Sequence, residues 1–381
     1  MNHRATYKHN NTILSVIFGL IIFLPLIIGI IQNDKISSQI EKRNLTKFPA
    51  IPQNFSDLNK FPGAFNQYYA DHFGLRELFT KAYFKIISKI NSSSTSDDVT
   101  FGQDGWMFLG SIRPGYTRHD DPMGDVTNVN LYSDDELKTF AESITQVKDW
   151  LAKKGIAYVY IIAPNKHTVY FDKLPEYISK KNKRSATDQL INYLKSHTEV
   201  DVIDLRGVLI EAKKSHQLYY KTDTHWNFVA ANIAQFEIMK SIEKMFPDEI
   251  SASLLPPSQF KPASFNEGDL VGFAKIEKIV EADPQPVFDN TCEQAEKPGD
   301  SNFSLSFITE CQDQHLKALI FRDSFFEALQ PYFSRKFKLA TYIPERVNFK
   351  ALNKYIAINK PDIVIEEVVE RRLPYLPKLE Q

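Results

Sequence analysis

The stretch YYKTDTHWN, residues 219–227, places a carboxylate and an imidazole two positions apart, at Asp223 and His225. At this spacing the carboxylate can hold the imidazole in one tautomer, so that the ring accepts a proton from a nucleophile. A long amphipathic pattern follows, so the Asp, Thr and Asn of this stretch are equally typical of a helix cap. Only the catalytic interpretation requires a serine or cysteine that the fold brings alongside.

Ser324 is the candidate for that nucleophile. It follows the apolar run LKALIF and opens a second helical pattern, so it lies where a strand ends and a helix begins. The free N–H groups and the dipole of a first helical turn stabilise an oxyanion at such a junction. Serine is also a common N-cap, and neither stretch is diagnostic alone. Together they predict a triad in which Ser324 attacks, His225 takes its proton and Asp223 orients the imidazole.

The elements that must position these residues alternate between apolar strands and amphipathic helices. The predicted strands are 156–164, 200–205, 316–321, 338–342 and 361–369, with helices between them. Strands separated by helices predict a parallel sheet that is covered on both faces. The carboxyl ends of such strands share one edge of the sheet, and the active sites of this fold class lie there.

Two local signals define individual elements. Asp104-Gly105 lies between two short apolar runs and predicts a β-hairpin over residues 99–110. Ser133, with Glu136 three positions later, predicts a capping box at the start of a helix that ends at Gly155.

The N-terminal segment departs from the composition of the rest of the chain. Residues 12–31 carry no charge and are long enough to cross a bilayer as a helix, which takes about 20 apolar residues. A cleaved signal peptide is the alternative, but its apolar region is shorter and ends at a small-residue cleavage site. Arg4 and Lys8 precede the segment, so the positive-inside rule predicts a cytoplasmic N-terminus, a single pass through the inner membrane and a periplasmic remainder.

The resulting division of the chain has a short N-terminal part, an anchor, a stem and one large domain. These are residues 1–11 in the cytoplasm, the transmembrane anchor 12–31, the stem 32–58 and the catalytic domain 59–381, with an irregular insertion at about 250–312. Cys292 and Cys311 lie inside that insertion. In an oxidising compartment we expect a disulfide that stabilises the fold by roughly 3 kcal/mol, the alternative being two unpaired buried thiols.

Composition and motifs exclude several classes of protein. The net charge of −1 lacks the basic footprint of nucleic-acid binding. Glycine-rich nucleotide-binding motifs are missing from the sequence. The stretch RHDD (118–121) offers ligand-type side chains without a metal-binding spacing, so neither a metal nor a cofactor is predicted.

Six stretches, in order along the chain, resemble the alginate O-acetyltransferase family of the AlgX and AlgJ type, which has an SGNH-hydrolase-like domain. They are ADHFGLRELF (70–79), FGQDGWMFL (101–109), APNKHTVYFDKLP (163–175), YYKTDTHWN (219–227), IFRDSFF (320–326) and KPDIVIEEVVERRL (360–373). The resemblance implies a flavodoxin-like three-layer α/β fold. It also implies the roles of Asp223, His225 and Ser324 in a triad whose Asp-x-His precedes the serine.

Five further residues are candidates for substrate binding or for the oxyanion site. Lys166 and Tyr170 follow the strand 156–164, and Lys166 is either a ligand of a substrate carboxylate or a solvated lysine. Asn165 or Asn227 is a candidate oxyanion donor. Arg322 precedes the Asp-Ser pair, where ordinary SGNH esterases have glycine, and it either positions a polyanionic chain or pairs with a carboxylate.

The resemblance implies a membrane-anchored periplasmic enzyme that acetylates hydroxyls of an exported, alginate-like polysaccharide. A membrane-embedded O-acyltransferase would supply the acetyl group, and other proteins of polysaccharide synthesis and export would be partners. Two alternatives remain open in the sequence. A carbohydrate acetylesterase would use the same triad, and a non-catalytic scaffold of the export complex would need only the anchor and the fold.

Overall fold

Contacts divide the chain into two compact units, Met1–Ile90 and Asn91–Gln381. The computed structural model describes residues 46–53, 55–75, 99–110, 121–274, 279–288 and 306–374, with isolated positions before residue 45 and between 292 and 298. Most of the predicted anchor, residues 12–31, lies outside the described residues. Of the helices in the described part, none is both long and apolar enough to span a bilayer.

The described part of the first unit includes one helix of 18 residues. Two short strands, β1 (Ser37–Ser38) and β2 (Arg43–Asn44), precede the helix α1 (Phe55–His72). Aromatic rings follow one another along α1 at a spacing of four residues. The ring centroids of Phe61 and Phe65 are 6.0 Å apart, and those of Phe65 and Tyr69 are 6.4 Å apart. Residues spaced by four lie on the same side of a helix, so these rings form a continuous aromatic stripe.

The second unit contains the predicted alternation of strands and helices. Its strands are β3 (Val99–Phe101), β4 (Met107–Leu109), β5 (Ala157–Ala163), β6 (Asp201–Asp204), β7 (Phe260–Glu267), β8 (Val280–Pro286), β9 (Lys297–Pro298), β10 (Phe307–Glu310), β11 (Lys317–Phe321), β12 (Leu339–Ile343) and β13 (Ile363–Val369). Its α-helices are α2 (Pro122–Val126), α3 (Asp134–Ala152), α4 (Lys166–Val169), α5 (Ala186–His197), α6 (Arg206–Ala212), α7 (Phe228–Met245), α8 (Asp269–Ala274), α9 (Gln330–Phe333) and α10 (Phe349–Asn359).

The central sheet has the strand order β6-β5-β13-β11-β12-β10-β9. The five strands from β6 to β12 pair in parallel, as the sequence predicts, and the central strand β13 is buried along its whole length. The prediction of a wholly parallel sheet was wrong at one edge, because β10 and β9 pair antiparallel. Residues 311–316 between β10 and β11 are too few for the crossover that parallel strands require. The sheet is therefore mixed.

Helices cover both faces of this sheet, so the expected three-layer α/β arrangement is present. One face packs against α3, α5 and α10, and the opposite face packs against α6, α7 and the turn that follows β11. Both predicted local signals are confirmed. The hairpin β3–β4 turns at Asp104 and Gly105, whose φ angles are 53° and 79°. The capping box joins Ser133 and Glu136 at the start of α3.

The insertion is more regular than its sequence pattern indicates. Strands β7 and β8 pair antiparallel, and α8 lies between them in the chain. Prolines lie within this pair of strands, where they are tolerated because a two-stranded sheet consists only of edges. A disulfide joins Cys292 to Cys311 in the structure.

A buried ion pair connects the middle of the sheet to the loop before α10. Glu366 on β13 is fully buried, and Arg346 donates to it from Nε at 2.7 Å. Tyr158 on β5 donates to the other carboxylate oxygen at 2.7 Å. A buried carboxylate is tolerated only when it is paired and hydrogen-bonded, so this glutamate depends on Arg346.

We therefore expect Arg346→Met to lower the free energy of unfolding by about 3–5 kcal/mol, since it leaves a buried charge without its partner. Lys138→Met is the matched control, because Lys138 and Glu142 form an ion pair at 3.9 Å with both side chains 67% exposed. That control should change stability by no more than about 0.5 kcal/mol. Urea unfolding of both variants measures the difference, and equal small effects would contradict a dependence of the fold on the buried pair.

Candidate active site

Ser324 lies at the edge of the sheet where β11 ends. It is exposed and is the first residue of a short 3-10 helix, Ser324–Ala328, rather than of a long α-helix. Asp323, not Ser324, caps this helix, because its side chain accepts from the Phe325 N–H at 2.8 Å. The Ser324 N–H opens the turn and has no acceptor within the helix. This amide is therefore not committed to a hydrogen bond within the helix, and it belongs to the same exposed residue as the hydroxyl.

Two contacts to β13 fix the loop that carries the serine. The Asp323 N–H donates to Glu367 at 3.1 Å, and the Asp323 carboxylate accepts from the Val369 N–H at 2.8 Å. Burial and the neighbouring charge of Asp323 raise the pKa of Glu367 well above its ordinary value. The sequence pattern around Glu367 is that of an apolar strand, so sequence reasoning missed this residue. These contacts place Ser324 relative to the middle of the sheet.

The structure brings His225 and Asp223 to the same edge. His225 Nε2 lies 2.8 Å from Ser324 Oγ, and its Nδ1 lies 2.8 Å from Asp223 Oδ1. Because a carboxylate only accepts, Nδ1 carries the proton and Nε2 is left to accept from the serine hydroxyl. The three side chains therefore form a continuous hydrogen-bond chain in the order that proton transfer from a serine requires.

The charges around the imidazole favour its protonated form. Burial opposes ionisation of Asp223, but its hydrogen bonds to His225 and the charge of that ring lower its pKa to about 2. Burial also opposes the imidazolium, yet the hydrogen bond and charge of Asp223, with the charge of Asp269, raise the pKa of His225. Arg371 acts in the opposite direction. The balance stabilises a proton on the ring once it has left the serine.

A third carboxylate, Asp269 on α8, lies beside this pair. Its Oδ2 is 4.0 Å from His225 Nδ1, and ligand-type atoms of Asp223, His225 and Asp269 all lie within 4.8 Å of one another. These atoms already hydrogen-bond to one another, to Thr224 and to Ser324, so the cluster suits proton transfer better than metal binding. Sequence reasoning missed Asp269, because it lies in the insertion without a recognisable motif.

Lys166 is not available to a substrate. It is 2% exposed, and its ammonium donates to the carbonyls of Met107 at 2.5 Å, Lys221 at 2.8 Å and Asp223 at 3.0 Å. Burial lowers the pKa of Lys166 to about 7, against the opposing charges of nearby carboxylates. Both sequence interpretations, carboxylate binding and a solvated lysine, were wrong. The lysine joins strand β4 to the loop that carries the Asp-x-His pair.

Tyr170 and Asn227 also have internal contacts instead of substrate-facing ones. Tyr170 is buried, with its ring 4.0 Å from that of Trp106, and its hydroxyl accepts from the Leu218 N–H at 2.9 Å. Asn227 caps α7, since its side-chain oxygen accepts from the Ala230 N–H at 3.0 Å. Its amide group donates to a backbone carbonyl at 2.6 Å, so neither end is left for an oxyanion.

Asn165 and Arg322 differ in their side-chain partners. The Asn165 side-chain oxygen accepts from Arg371 at 3.1 Å, while its buried Nδ2 has no partner among the described residues. The Arg371 guanidinium lies 5.2 Å from the Phe325 ring, next to the triad. Arg322 lies 3.2 Å from Glu327, so of its two sequence interpretations the structure favours pairing with a carboxylate. Asn165 is thus the remaining side-chain candidate for an oxyanion donor.

Comparison with family models and curated proteins identifies relatives of this chain. The model for "SGNH hydrolase-like domain, acetyltransferase AlgX" matches residues 99–305, a range that contains Asp223 and His225 and ends before Ser324. The chain is 24% identical over 264 residues to "Probable alginate O-acetylase AlgJ" of Pseudomonas syringae pv. tomato, covering 68% of this chain and 61% of the relative. The protein of the same name from Pseudomonas putida is 28% identical over 190 residues, covering 45% and 46%. The chain thus spans between about half and three fifths of these relatives.

Solved structures that are similar to this chain include the following two. One is the O-acetyltransferase domain of Pseudomonas putida AlgJ, with a TM-score of 0.44 and 19% identity, covering 74% of this chain and 94% of that one. The other is PatB1 of Bacillus cereus, with a TM-score of 0.49 and 16% identity, covering 73% and 97%.

Lys166→Met tests the buried support of the Asp-x-His loop. The substitution removes the ammonium donor from the buried carbonyls of Met107 and Asp223 and leaves the Lys221 carbonyl with only the Met107 N–H, so we expect the free energy of unfolding to fall by about 3 kcal/mol or more. Lys350→Met, at an exposed position on α10, is the control and should leave stability unchanged. Denaturant unfolding measures both. A Lys166→Met protein as stable as the control would show that these hydrogen bonds do not hold the loop.

Proposed function

This chain belongs to the SGNH hydrolase-like acetyltransferase family of the AlgX and AlgJ type, and on that premise we propose that it adds acetyl groups to hydroxyls of an exported, alginate-like polysaccharide. The observation that carries the proposal is the hydrogen-bond chain from exposed Ser324 through His225 to Asp223. A hydroxyl whose proton can pass to a positioned imidazole is the activated nucleophile that acyl transfer requires.

The reaction has two halves that use the same residues. Ser324 Oγ attacks the carbonyl carbon of an acetyl donor while its proton passes to His225 Nε2, and the departing group takes that proton as acetyl-Ser324 forms. A sugar hydroxyl then gives its proton to His225 Nε2 and attacks the acetyl carbon. The bond from that carbon to Ser324 Oγ breaks, and Ser324 Oγ takes the proton back from His225. In both halves Asp223 orients the ring and stabilises the imidazolium.

The oxyanion of each tetrahedral intermediate needs donors that are not otherwise occupied. The Ser324 amide opens its helical turn and is the first candidate. The Nδ2 of buried Asn165, which has no partner among the described residues, is the second, and Arg371 fixes the orientation of that amide through its other end. Together they would supply one backbone and one side-chain hydrogen bond.

A transferase must keep water away from its acetyl-serine, because water would turn it into an esterase. The aromatic residues next to the triad do not provide that cover. Trp226, Phe325 and Phe326 are fully buried in the core, and the indole N–H of Trp226 donates to the Phe325 carbonyl at 2.8 Å. Their rings therefore support the loops rather than cover the serine. We infer that transfer prevails over hydrolysis because the polysaccharide, bound beside Ser324, keeps water away from the acetyl group. The aromatic side chains next to the triad do not exclude water there.

The cellular arrangement is part of the proposal. The uncharged segment 12–31, preceded by Arg4 and Lys8, supports a single membrane anchor with the second unit in the periplasm. A membrane-embedded O-acyltransferase is the proposed acetyl source, and no cofactor is needed for the steps above. The names of the curated relatives support alginate or a similar acidic glycan as acceptor.

The direct test uses the full chain with p-nitrophenyl acetate as donor and alginate oligosaccharides as acceptor. We expect acetylated oligosaccharide by mass spectrometry, and a loss of at least about 10³-fold in Ser324→Ala. Ser196→Ala, at an exposed serine on α5, is the control that should keep full activity. Serine-dependent hydrolysis without transfer would favour an acetylesterase. A folded protein with neither activity would favour a scaffold.

The raised pKa of His225 predicts the pH dependence of this reaction. The ring must be neutral to accept the serine proton, so kcat/KM should rise with pH and level off once His225 is deprotonated. Because the pKa of His225 is raised, the midpoint of that rise should lie above about 6.5, the ordinary histidine value. A pH profile of p-nitrophenyl acetate turnover measures it. A midpoint at or below that value would contradict the electrostatic account of the site.

A further inference from the structure

The insertion packs its backbone directly against the loop that carries Asp223 and His225. A Cβ added to Gly268 would lie 2.1 Å from the Thr222 carbonyl oxygen, so no side chain fits at this position. The next residue but one, Leu270, donates its N–H to the same carbonyl at 3.1 Å. A backbone approach this close fixes the start of α8 relative to the loop.

Asp269, between these two residues, exchanges hydrogen bonds with the loop. Its N–H donates to Asp223 Oδ2 at 3.0 Å. Its own carboxylate accepts from the Thr224 N–H at 2.8 Å and from the Thr224 hydroxyl at 2.6 Å. Asp223 is thereby held at both oxygens, since Oδ1 bonds His225 and Oδ2 bonds Asp269. The triad carboxylate cannot rotate without breaking one of these contacts.

The carboxylate of Asp269 also adds charge to the site. Its Oδ2 lies 4.0 Å from His225 Nδ1, and both side chains are about 30% exposed. The charged groups around the ring are Asp223 and Asp269 on the negative side and Arg371 on the positive side, with Lys166 behind the Asp223 carbonyl. The two carboxylates attract a proton on the His225 ring and the guanidinium repels it, so the net effect of these three groups favours the imidazolium.

We propose that Asp269 is a positioning residue for the triad, which holds Asp223 through its backbone and stabilises the His225 imidazolium through its charge. The inference rests on the proposed function, because it assigns His225 the role of base. The proposal adds a residue of the insertion to the candidate active site, although the insertion supplies no member of the triad. Asp269 acts through Asp223 and His225 and contacts neither donor nor acceptor.

The electrostatics of Asp269 separate this role from a structural one. Burial and the like charge of Asp223 raise the pKa of Asp269. A carboxyl with a raised pKa in the fold destabilises the fold at pH values above that pKa, where it must be charged. Asp269→Asn removes that repulsion and retains an oxygen for the Thr224 N–H. A structural role predicts lost stability, whereas a positioning role predicts stability kept or raised near neutral pH.

The experiment compares the full chain with its Asp269→Asn variant, using histidine labelled with ¹³C. The His225 signal is assigned by its loss in His225→Gln and titrated by NMR. We expect His225 to titrate at lower pH in Asp269→Asn than in the native protein, because one neighbouring charge is gone. The acid limb of kcat/KM for p-nitrophenyl acetate should move in the same direction. Its plateau should fall roughly tenfold, since imidazolium stabilisation is reduced.

Two variants serve as controls. Asp248→Asn removes an exposed carboxylate beyond the far end of α7, about 27 Å along the helix from its start near His225, and should change neither titration nor rate. Asp269→Glu keeps the charge, so its His225 titration should stay close to the native one. This second variant also tests the proposal if Asp269→Asn fails to fold.

An unchanged His225 titration in Asp269→Asn would overturn the proposal, whatever happens to the rate. Because NMR reads the proton on His225 without any turnover, this outcome is independent of the proposed function. If the native protein shows no Ser324-dependent acetyl transfer while the titration moves as expected, the proposed function fails, and only the electrostatic effect of Asp269 on His225 stands.

Discussion

The hydrogen bond from His225 Nδ1–H to Asp223, at 2.8 Å, is the interaction on which the site depends. It fixes the tautomer of the ring and leaves Nε2 facing the serine hydroxyl 2.8 Å away. Asp223 and His225 lie in a loop without regular secondary structure, so the surrounding fold must hold that loop. The buried and half-buried charged side chains around the loop hold it in place.

Three separate elements support the loop. Lys166 from α4 donates to two of its carbonyls, and Glu281 from β8 accepts from the N–H groups of Lys221 and Thr222. Asp269 from α8 accepts from the Thr224 N–H. Backbone groups that a strand or helix would satisfy internally are here satisfied by buried or half-buried charges. Burying such charges costs stability, but these hydrogen bonds hold the loop in a single conformation.

Sequence reasoning identified the features of the fold and site that depend on neighbouring residues in the chain. Ser324 lies just after β11, as its sequence pattern predicts, at the edge of the sheet that the carboxyl ends of the parallel strands share. His225 lies just before α7 but follows α6 and a loop, so its expected strand-to-helix junction was wrong. Capping boxes and hairpin turns are equally local. The contacts of Lys166 and Asp269 are made across distant parts of the chain, and nothing in their neighbouring residues distinguishes a buried lysine from a solvated one. The antiparallel strand β10, next to the edge strand β9, was missed because strand direction there depends on the short connection to β11.

Detection of an acetyl group on Ser324 tests the central claim most directly. The native chain would be mixed with p-nitrophenyl acetate, quenched in acid within seconds and digested for peptide mass spectrometry. The account predicts acetylation of the peptide that contains Ser324, and loss of that acetyl group to an oligosaccharide when the acceptor is added before quenching. Acetylated oligosaccharide without any acetyl-Ser324, or an acetyl group stable on another residue, would contradict it.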